Sequence, residues 1–353
     1  MTSPRPATLA LDRGLPGYVT DGGLETDLIF HHGVELSHFA AFPLLIDPKG
    51  RELLVDYYSG YAQIASAAGA GLFLETPTWR ASHDWGARLG VGADGLVEVN
   101  TDAVRLLAEL GQRYSDEVPE VVVAGLVGPR GDGYVVAEVM DPWQARDYHL
   151  AQARALADAG ADLLSSLTLT TVTEAIGVAL AAGEVGLPVT VGFTVETDGR
   201  LPDGTTLRAA IEAVDDVTPP DWFVVNCAHP SHVAAAVVDT GPWLDRIGGT
   251  RVNASVLSHA ELDGAEALDE GDPAALGGEQ AALAASLPGL RVVGGCCGTD
   301  ARHVAAMWGV PAPAAQIPPG VSHGHPPRRT GVRLGSSTGG ASDSTRPQAH
   351  GSP

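Results

Sequence analysis

The sequence predicts a closed (β/α)₈ barrel, in which eight parallel strands alternate with helices. Eight short β-branched or apolar runs recur over about 300 residues, and Ala- and Leu-rich segments of helical period separate them. This alternation indicates a parallel sheet, because parallel strands need crossover connections, which are usually helices. Eight such units in this length suit a barrel. A doubly wound open sheet is the alternative, since periodicity does not report closure.

The predicted strands are runs of four to seven residues. They cover residues 18–21, 71–75, 121–127, 162–168, 189–194, 222–226, 251–254 and 291–294. Most are nearly continuous in apolar residues, which is typical of strands buried on both faces. Helical periodicity is clear in the segments 53–68, 145–159, 174–182 and 302–308.

The chain of 353 residues divides into a predicted barrel domain, residues 1–315, and a C-terminal tail, residues 316–353. The tail is rich in Pro, Gly, Ser and Thr and has almost no apolar residues. It cannot bury enough surface to offset the entropy of ordering it. We therefore expect a disordered tail.

The net charge of the chain, and the lack of an apolar membrane or leader segment in it, restrict the possible partners. The chain has 21 Lys and Arg against 43 Asp and Glu, a net charge of −22, which repels phosphate backbones and predicts no nucleic-acid partner. No apolar stretch approaches the roughly 20 residues of a membrane span, and residues 1–6 form no hydrophobic leader. The only lysine, Lys49, lies in a polar turn, a poor position for Schiff-base chemistry. We expect a cytoplasmic protein that acts on small molecules.

All three cysteines, Cys227, Cys296 and Cys297, lie at the carboxyl ends of predicted strands. Those ends meet at one face of a barrel, so three thiols should converge there. Neighbouring Cα atoms are about 3.8 Å apart, whereas an unstrained disulfide needs about 4.4 to 6.8 Å, so Cys296 and Cys297 should not pair. Three thiolates with one open position describe a catalytic zinc site, because a structural site uses four protein ligands. Buried, inert cysteines are the alternative.

Three motifs resemble the signature of the zinc-dependent homocysteine S-methyltransferases: Asp21-Gly-Gly, Asn226-Cys227 and Gly294-Gly-Cys-Cys-Gly-Thr299. The resemblance extends from about residue 18 to residue 310, and both cysteine motifs occur in the family's order, at strands six and eight. It implies a single TIM barrel that binds Zn²⁺ through the three cysteines. It also implies transfer of a methyl group to homocysteine, giving methionine. The donor would be S-methylmethionine, S-adenosylmethionine or a betaine-like compound.

Other polar residues at predicted strand ends are candidates for substrate binding. The resemblance places Asp21 at the amino-acid acceptor, with a catalytic and substrate-binding role; a turn cap is the alternative. Asn226 is expected to orient the loop that carries Cys227, or to make a plain structural hydrogen bond. Glu75, Thr168 and Asn253 are further candidates, which could instead only satisfy backbone groups at the strand ends, and Glu25 is a candidate in the motif that follows the first strand.

Two departures from the family pattern concern the acceptor. Leu167 stands where the family commonly has a glutamate used near the acceptor's amino group, and Glu25 stands where glycine is expected. A buried ammonium group without its carboxylate partner is strongly disfavoured. The sequence therefore predicts poor homocysteine binding, or preference for another thiol, unless Asp21, Glu25 or Glu75 supplies a substitute charge.

Two other classes of function stay open. A zinc-dependent hydrolase or lyase would need a carboxylate or histidine beside the open metal position, for which Asp21 is the only obvious candidate. A non-catalytic zinc- or thiol-binding protein is the second, and Leu167 is its only hint. Three thiolate ligands favour sulfur attack, since they leave a fourth bound sulfur electron-rich, whereas histidine ligands suit water activation.

Overall fold

The computed structural model describes residues 9, 11–136, 139–265 and 267–314, and its eight strands close into a barrel. Each strand pairs in parallel with the next, and Tyr18 of the first strand lies opposite Val292 of the last. The strands are β1 (Tyr18–Val19), β2 (Gly71–Glu75), β3 (Val121–Val127), β4 (Leu163–Leu169), β5 (Val189–Phe193), β6 (Trp222–Ala228), β7 (Ile247–Val252) and β8 (Val292–Gly295). The predicted barrel is confirmed, and the open sheet is excluded.

Eleven α-helices are found in the described part of the chain. They are α1 (Leu24–Phe30), α2 (Pro48–Ala68), α3 (His83–Arg88), α4 (Ala93–Arg113), α5 (Pro142–Asp158), α6 (Val172–Val185), α7 (Leu207–Val217), α8 (Pro230–Ala236), α9 (His259–Asp263), α10 (Pro273–Ala284) and α11 (Ala301–Trp308). The four predicted helices are confirmed as α2, α5, α6 and α11. Helices α2 and α5 each start three or more residues before the predicted position, at an Asp-Pro pair. There the aspartate side chain accepts hydrogen bonds from free N–H groups, and proline fits the first helical position.

One strand differs clearly from its predicted position: β7 starts at Ile247, whereas the predicted run was 251–254. The sequence pattern did not predict the first half of β7, because that half contains Gly248 and Gly249 and glycine has low strand propensity. Packing against β6 explains these glycines. A Cβ atom at Gly248 would lie 2.5 Å from the indole of Trp222, and one at Gly249 would lie 3.0 Å from a methyl group of Val224.

The amino-terminal end of the barrel is closed by apolar side chains from the starts of several strands. Tyr18, Phe73 and Leu163 form this cluster with neighbours, and Leu11 and Leu15 pack against it from the segment before β1. The larger core lies between the sheet and the helices. The thiols and the polar side chains of the predicted site lie at the opposite, carboxyl end.

Within the described ranges, no helix has the length and apolar character needed to cross a membrane. The predicted tail, residues 316–353, lies outside the described residues. Its disorder, and with it the predicted domain boundary, stays a prediction.

Candidate metal centre and active site

The three cysteines meet at the carboxyl end of the barrel. The Sγ atom of Cys227 lies 2.7 Å from that of Cys296 and 3.6 Å from that of Cys297, and all three sulfurs lie within 4.8 Å of one another. Zinc–sulfur bonds of about 2.3 Å in a tetrahedral site place sulfur atoms about 3.8 Å apart. A shift of about 1 Å in the shortest contact would therefore admit the ion. The three thiols fit a metal site.

Local backbone geometry positions each thiol. Cys227 has a φ of 56°, and the register between β6 and β7 shifts between Asn226 and Ala228, so a bulge turns the cysteine out of the regular strand. Before Cys296, a Cβ atom at Gly294 would lie 2.5 Å from the side chain of Thr20. Glycine lets β8 approach the segment after β1 closely enough to bring the thiols together.

A second bulge faces the first. Thr168 in β4 has a φ of 64°, an outlier for a β-branched residue. The side-chain amide of Asn226 binds it twice: Oδ1 accepts from the Thr168 backbone N–H at 2.9 Å, and Nδ2 donates to the Thr168 hydroxyl at 3.0 Å. Asn226 therefore holds the bulge at Thr168 beside the cysteine that follows it in the chain.

Tyr134, in the loop between β3 and α5, is a site residue that the sequence analysis missed. Its hydroxyl lies 3.2 Å from the Sγ atom of Cys227 and 3.3 Å from that of Cys297. Burial and the neighbouring thiols raise the pKa of Tyr134 well above its ordinary value, so the hydroxyl keeps its proton and can donate it to sulfur. Hydrogen bonds from the other thiols, and from Tyr134, lower the pKa of Cys297.

His259 supports this arrangement. Its ring stacks on that of Tyr134 with 4.1 Å between centroids. Its Nε2 atom lies 2.6 Å from the carbonyl oxygen of Cys227, and its Nδ1 atom lies 2.9 Å from a carboxylate oxygen of Glu196. The tyrosine ring and the cysteine backbone are thus held by one side chain.

Arg251 in β7 is the second residue that the sequence analysis missed. Its guanidinium lies between Asp21 and Glu75: one nitrogen is 2.9 Å from Asp21 Oδ1, and another forms an ion pair with Glu75. It also donates to the carbonyl oxygens of Gly22 at 2.8 Å and Gly295 at 2.9 Å. Burial raises the pKa of Glu75, and the arginine opposes that effect. These two predicted carboxylates are therefore joined in one buried ion triad.

A cavity beside the thiols, termed here the thiol cavity, brings four of the six predicted substrate-binding residues together. Its wall contains Asp21, Glu25, Glu75 and Thr168 with the three cysteines, and Trp79, Leu126 and Leu167 form an apolar side. Asn226 and Asn253 are not among its lining residues. Asn253 is buried, and its Oδ1 atom has no hydrogen-bond partner among the residues that the structure describes.

A second cavity adjoins the first and shares Tyr134 and Cys297 with it. We term it the aromatic cavity, because two phenylalanines, a tryptophan and a tyrosine line its wall. Two carboxylates and one guanidinium complete the charged part of that wall. These residues are Phe30, Phe39, Trp79, Tyr134, Asp132, Asp269 and Arg80.

The family model of the homocysteine S-methyltransferases matches residues 18–309. The chain belongs to this family. It is 29% identical, over 315 aligned positions, to the homocysteine S-methyltransferase of Escherichia coli (strain K12), and the match covers 81% of this chain and 93% of the relative. The predicted family and enzyme class, a methyltransferase that acts on homocysteine, are thereby confirmed.

Two crystal structures of the homocysteine methyltransferase MmuM from Escherichia coli are similar to this barrel. The oxidized form has a TM-score of 0.65, covering 82% of this chain and 94% of MmuM. The metallated form has a TM-score of 0.63, covering 83% and 95%. Both structures are 23% identical in sequence to this chain. At that identity, they show that the fold is shared.

Proposed function

We propose that the protein transfers a methyl group from a cationic donor to the thiol of homocysteine at a zinc ion held by Cys227, Cys296 and Cys297, giving methionine. The observation that carries this proposal is the convergence of three free thiols within 4.8 Å. Sulfur ligands suit zinc, whereas magnesium and calcium prefer oxygen. Free thiols also suit a reducing compartment, so we place the protein in the cytoplasm.

The thiol cavity would hold the acceptor. Bound zinc would stabilise the thiolate form of homocysteine at neutral pH, where a free thiol of pKa about 8.5 is mostly protonated. Asn226 fixes the bulge at Thr168 next to that of Cys227, so the cavity wall is already in place when the acceptor arrives. Asp21, whose carboxylate is held by Arg251 and Tyr57, would shape the acceptor's part of the cavity and would not move a proton.

The aromatic cavity would hold the donor. Aromatic faces attract sulfonium and quaternary ammonium cations, and the two carboxylates of the same wall, Asp132 and Asp269, outnumber its one guanidinium, that of Arg80. These features support S-methylmethionine, S-adenosylmethionine or a betaine-like compound as the donor. Because the cavities share Tyr134 and Cys297, a donor methyl group there would be close to an acceptor thiol.

Methyl transfer itself needs no proton transfer at carbon. The acceptor sulfur forms a bond to the methyl carbon while the bond from that carbon to the donor's positive sulfur or nitrogen breaks, and the donor leaves as a neutral thioether or amine. Charge is neutralised along this path, so exclusion of water favours it. Trp79, Leu126 and Leu167 supply that apolar environment.

Mass spectrometry tests the proposal. Zinc-loaded protein is incubated with homocysteine and each candidate donor under reducing conditions, and methionine is quantified. Cys297→Ser should lose zinc, measured by plasma emission spectrometry, and should lose methyl transfer. Ser115→Ala, at an exposed serine, is the control and should keep both. Wild-type protein without zinc, or a fully active Cys297→Ser variant, would contradict the proposal.

A further inference from the structure

Two of the three carboxylates that line the thiol cavity are already paired. Arg251 binds one oxygen of Asp21 at 2.9 Å and one oxygen of Glu75. The second oxygen of Asp21 accepts from the Tyr57 hydroxyl at 3.0 Å, and the second oxygen of Glu75 accepts from the Ser165 hydroxyl. All four oxygens therefore have a partner before any substrate binds.

Glu25, the third carboxylate, lies differently. It is half-buried in the first turn of α1, and its side chain has no ion pair and no hydrogen bond to another residue among those the structure describes. The charge of Arg80 acts on Glu25, but the two side chains form no ion pair. An incoming cation could therefore pair with Glu25, because an opposite charge favours the ionised carboxylate.

Position 167 lies on the apolar side of the same cavity. Leu167 packs with Leu126 and Val224 and offers no charge to a substrate. The two departures from the family's motifs, a missing carboxylate at Leu167 and an added one at Glu25, therefore lie on the walls of one cavity. An ammonium group at Asp21 or Glu75 would lie close to the positive charge of Arg251, with which both carboxylates form ion pairs, whereas Arg80 acts on Glu25 only from beyond ion-pair distance.

We infer that Glu25 is the partner of the acceptor's α-ammonium group and takes the place of the carboxylate missing at position 167. This inference rests on the proposed function and names Glu25 as the residue that determines specificity for the acceptor. The expected weak binding of homocysteine is then avoided, because the required charge comes from α1 instead of β4. The preferred acceptor is an amino-acid thiol, and the same thiol acid without its amino group should be disfavoured.

The test compares homocysteine with 4-mercaptobutanoate, which lacks only the amino group, using zinc-loaded protein. Glu25→Gln should raise the KM for homocysteine at least tenfold, which corresponds to about 1.4 kcal/mol. It should leave kcat for both thiols, and the KM for 4-mercaptobutanoate, within about twofold, since a charge that binds the substrate equally in the ground and transition states affects KM alone. Glu212→Gln, at an exposed glutamate of α7, is the matched control and should change neither constant.

A double variant sharpens the test. Glu25→Gln with Leu167→Glu should recover at least half of the lost preference for homocysteine, because it moves the carboxylate across the cavity. If Glu25→Gln is poorly folded by its melting curve, Glu25→Gly serves in its place, since glycine is expected there in the family's motif. Unchanged discrimination between the two thiols in Glu25→Gln, or in Glu25→Gly where it takes its place, would overturn the inference.

The same comparison distinguishes this inference from the proposed function. Calorimetric Kd values for the two thiols report recognition without turnover. If the wild type binds homocysteine no better than 4-mercaptobutanoate, the inference fails even in an active enzyme. If it binds homocysteine through Glu25 but transfers no methyl group from any cationic donor, only the proposed function fails.

Discussion

Replacing Arg251 by methionine removes the guanidinium from the ion triad and keeps a side chain of similar length. The arginine side chain is 6% exposed, and those of its partners Asp21 and Glu75 are 5% and 3% exposed. Arg251→Met therefore leaves two carboxylates buried without their counter-ion. Breaking a buried pair in this way costs about 3–5 kcal/mol.

This loss should appear in the melting temperature. Each kcal/mol shifts the Tm by about 2–4 °C in chains of somewhat smaller size, so we expect Arg251→Met to lower the Tm by about 5–15 °C, measured by circular dichroism. Arg208→Met is the matched control, because Arg208 forms exposed ion pairs with Glu212 and Asp239. Its Tm should equal that of the wild type.

Two further measurements decide whether unpaired charge is the cause. Adding Asp21→Asn and Glu75→Gln to Arg251→Met should recover part of the Tm, because no charged side chain of the triad is then left unpaired. Burial raises the pKa of Glu75, and loss of Arg251 would raise it further, so protonation should shrink the stability deficit as pH falls from 8 to 5. A triple variant less stable than Arg251→Met, or a deficit that grows toward low pH, would refute this account.

Three other predictions concern separate parts of the chain. Tyr134→Phe should weaken zinc affinity by about tenfold or more in competition with a chromophoric chelator, because it removes the hydroxyl that contacts two cysteine sulfurs. The hydrogen bond to Asp27 raises the pKa of His31 to about 9, so its stabilisation is complete below pH 6.5 and lost as pH rises through 9. Urea unfolding should show this loss, about 1 kcal/mol after solvent screening, in the wild type and not in His31→Gln. Deleting the residues after 316 should leave Tm and turnover unchanged; a Tm loss of several degrees would show that the tail docks on the barrel.

The sequence predicted the strands and the thiols because both depend on local signals. A short apolar run bounded by turn residues indicates a buried strand, and parallel strands necessarily bring their carboxyl ends together. The convergence of Cys227 with Cys296 and Cys297 followed from those two facts. The start of β7 did not follow, because Gly248 and Gly249 are there to fit Trp222 and Val224, which a one-dimensional pattern does not show.

Arg251 and Tyr134 escaped prediction for a different reason: their partners are distant in the sequence. Arg251 binds Glu75 across 176 positions, and the Tyr134 hydroxyl meets Cys297 across 163 positions. The only local signal for Arg251 was a charged residue within a predicted buried strand, which demands a counter-ion somewhere in the barrel. Tyr134 lies in a loop without a recognisable motif, so its position depends entirely on tertiary packing.

The charges around the thiol cavity divide into two groups with different consequences. Asp21 and Glu75 share the one guanidinium of Arg251 within the barrel, so their pairing contributes to both stability and the shape of the site. Glu25 is unpaired and partly exposed, so its charge is available to a ligand, and its removal should affect recognition without lowering stability. Arg251→Met is therefore expected to reduce Tm and turnover together, whereas Glu25→Gln should change only the KM for homocysteine. Parallel losses of Tm in both variants would mean that all four residues form one structural network and that substrate recognition lies elsewhere in the cavity.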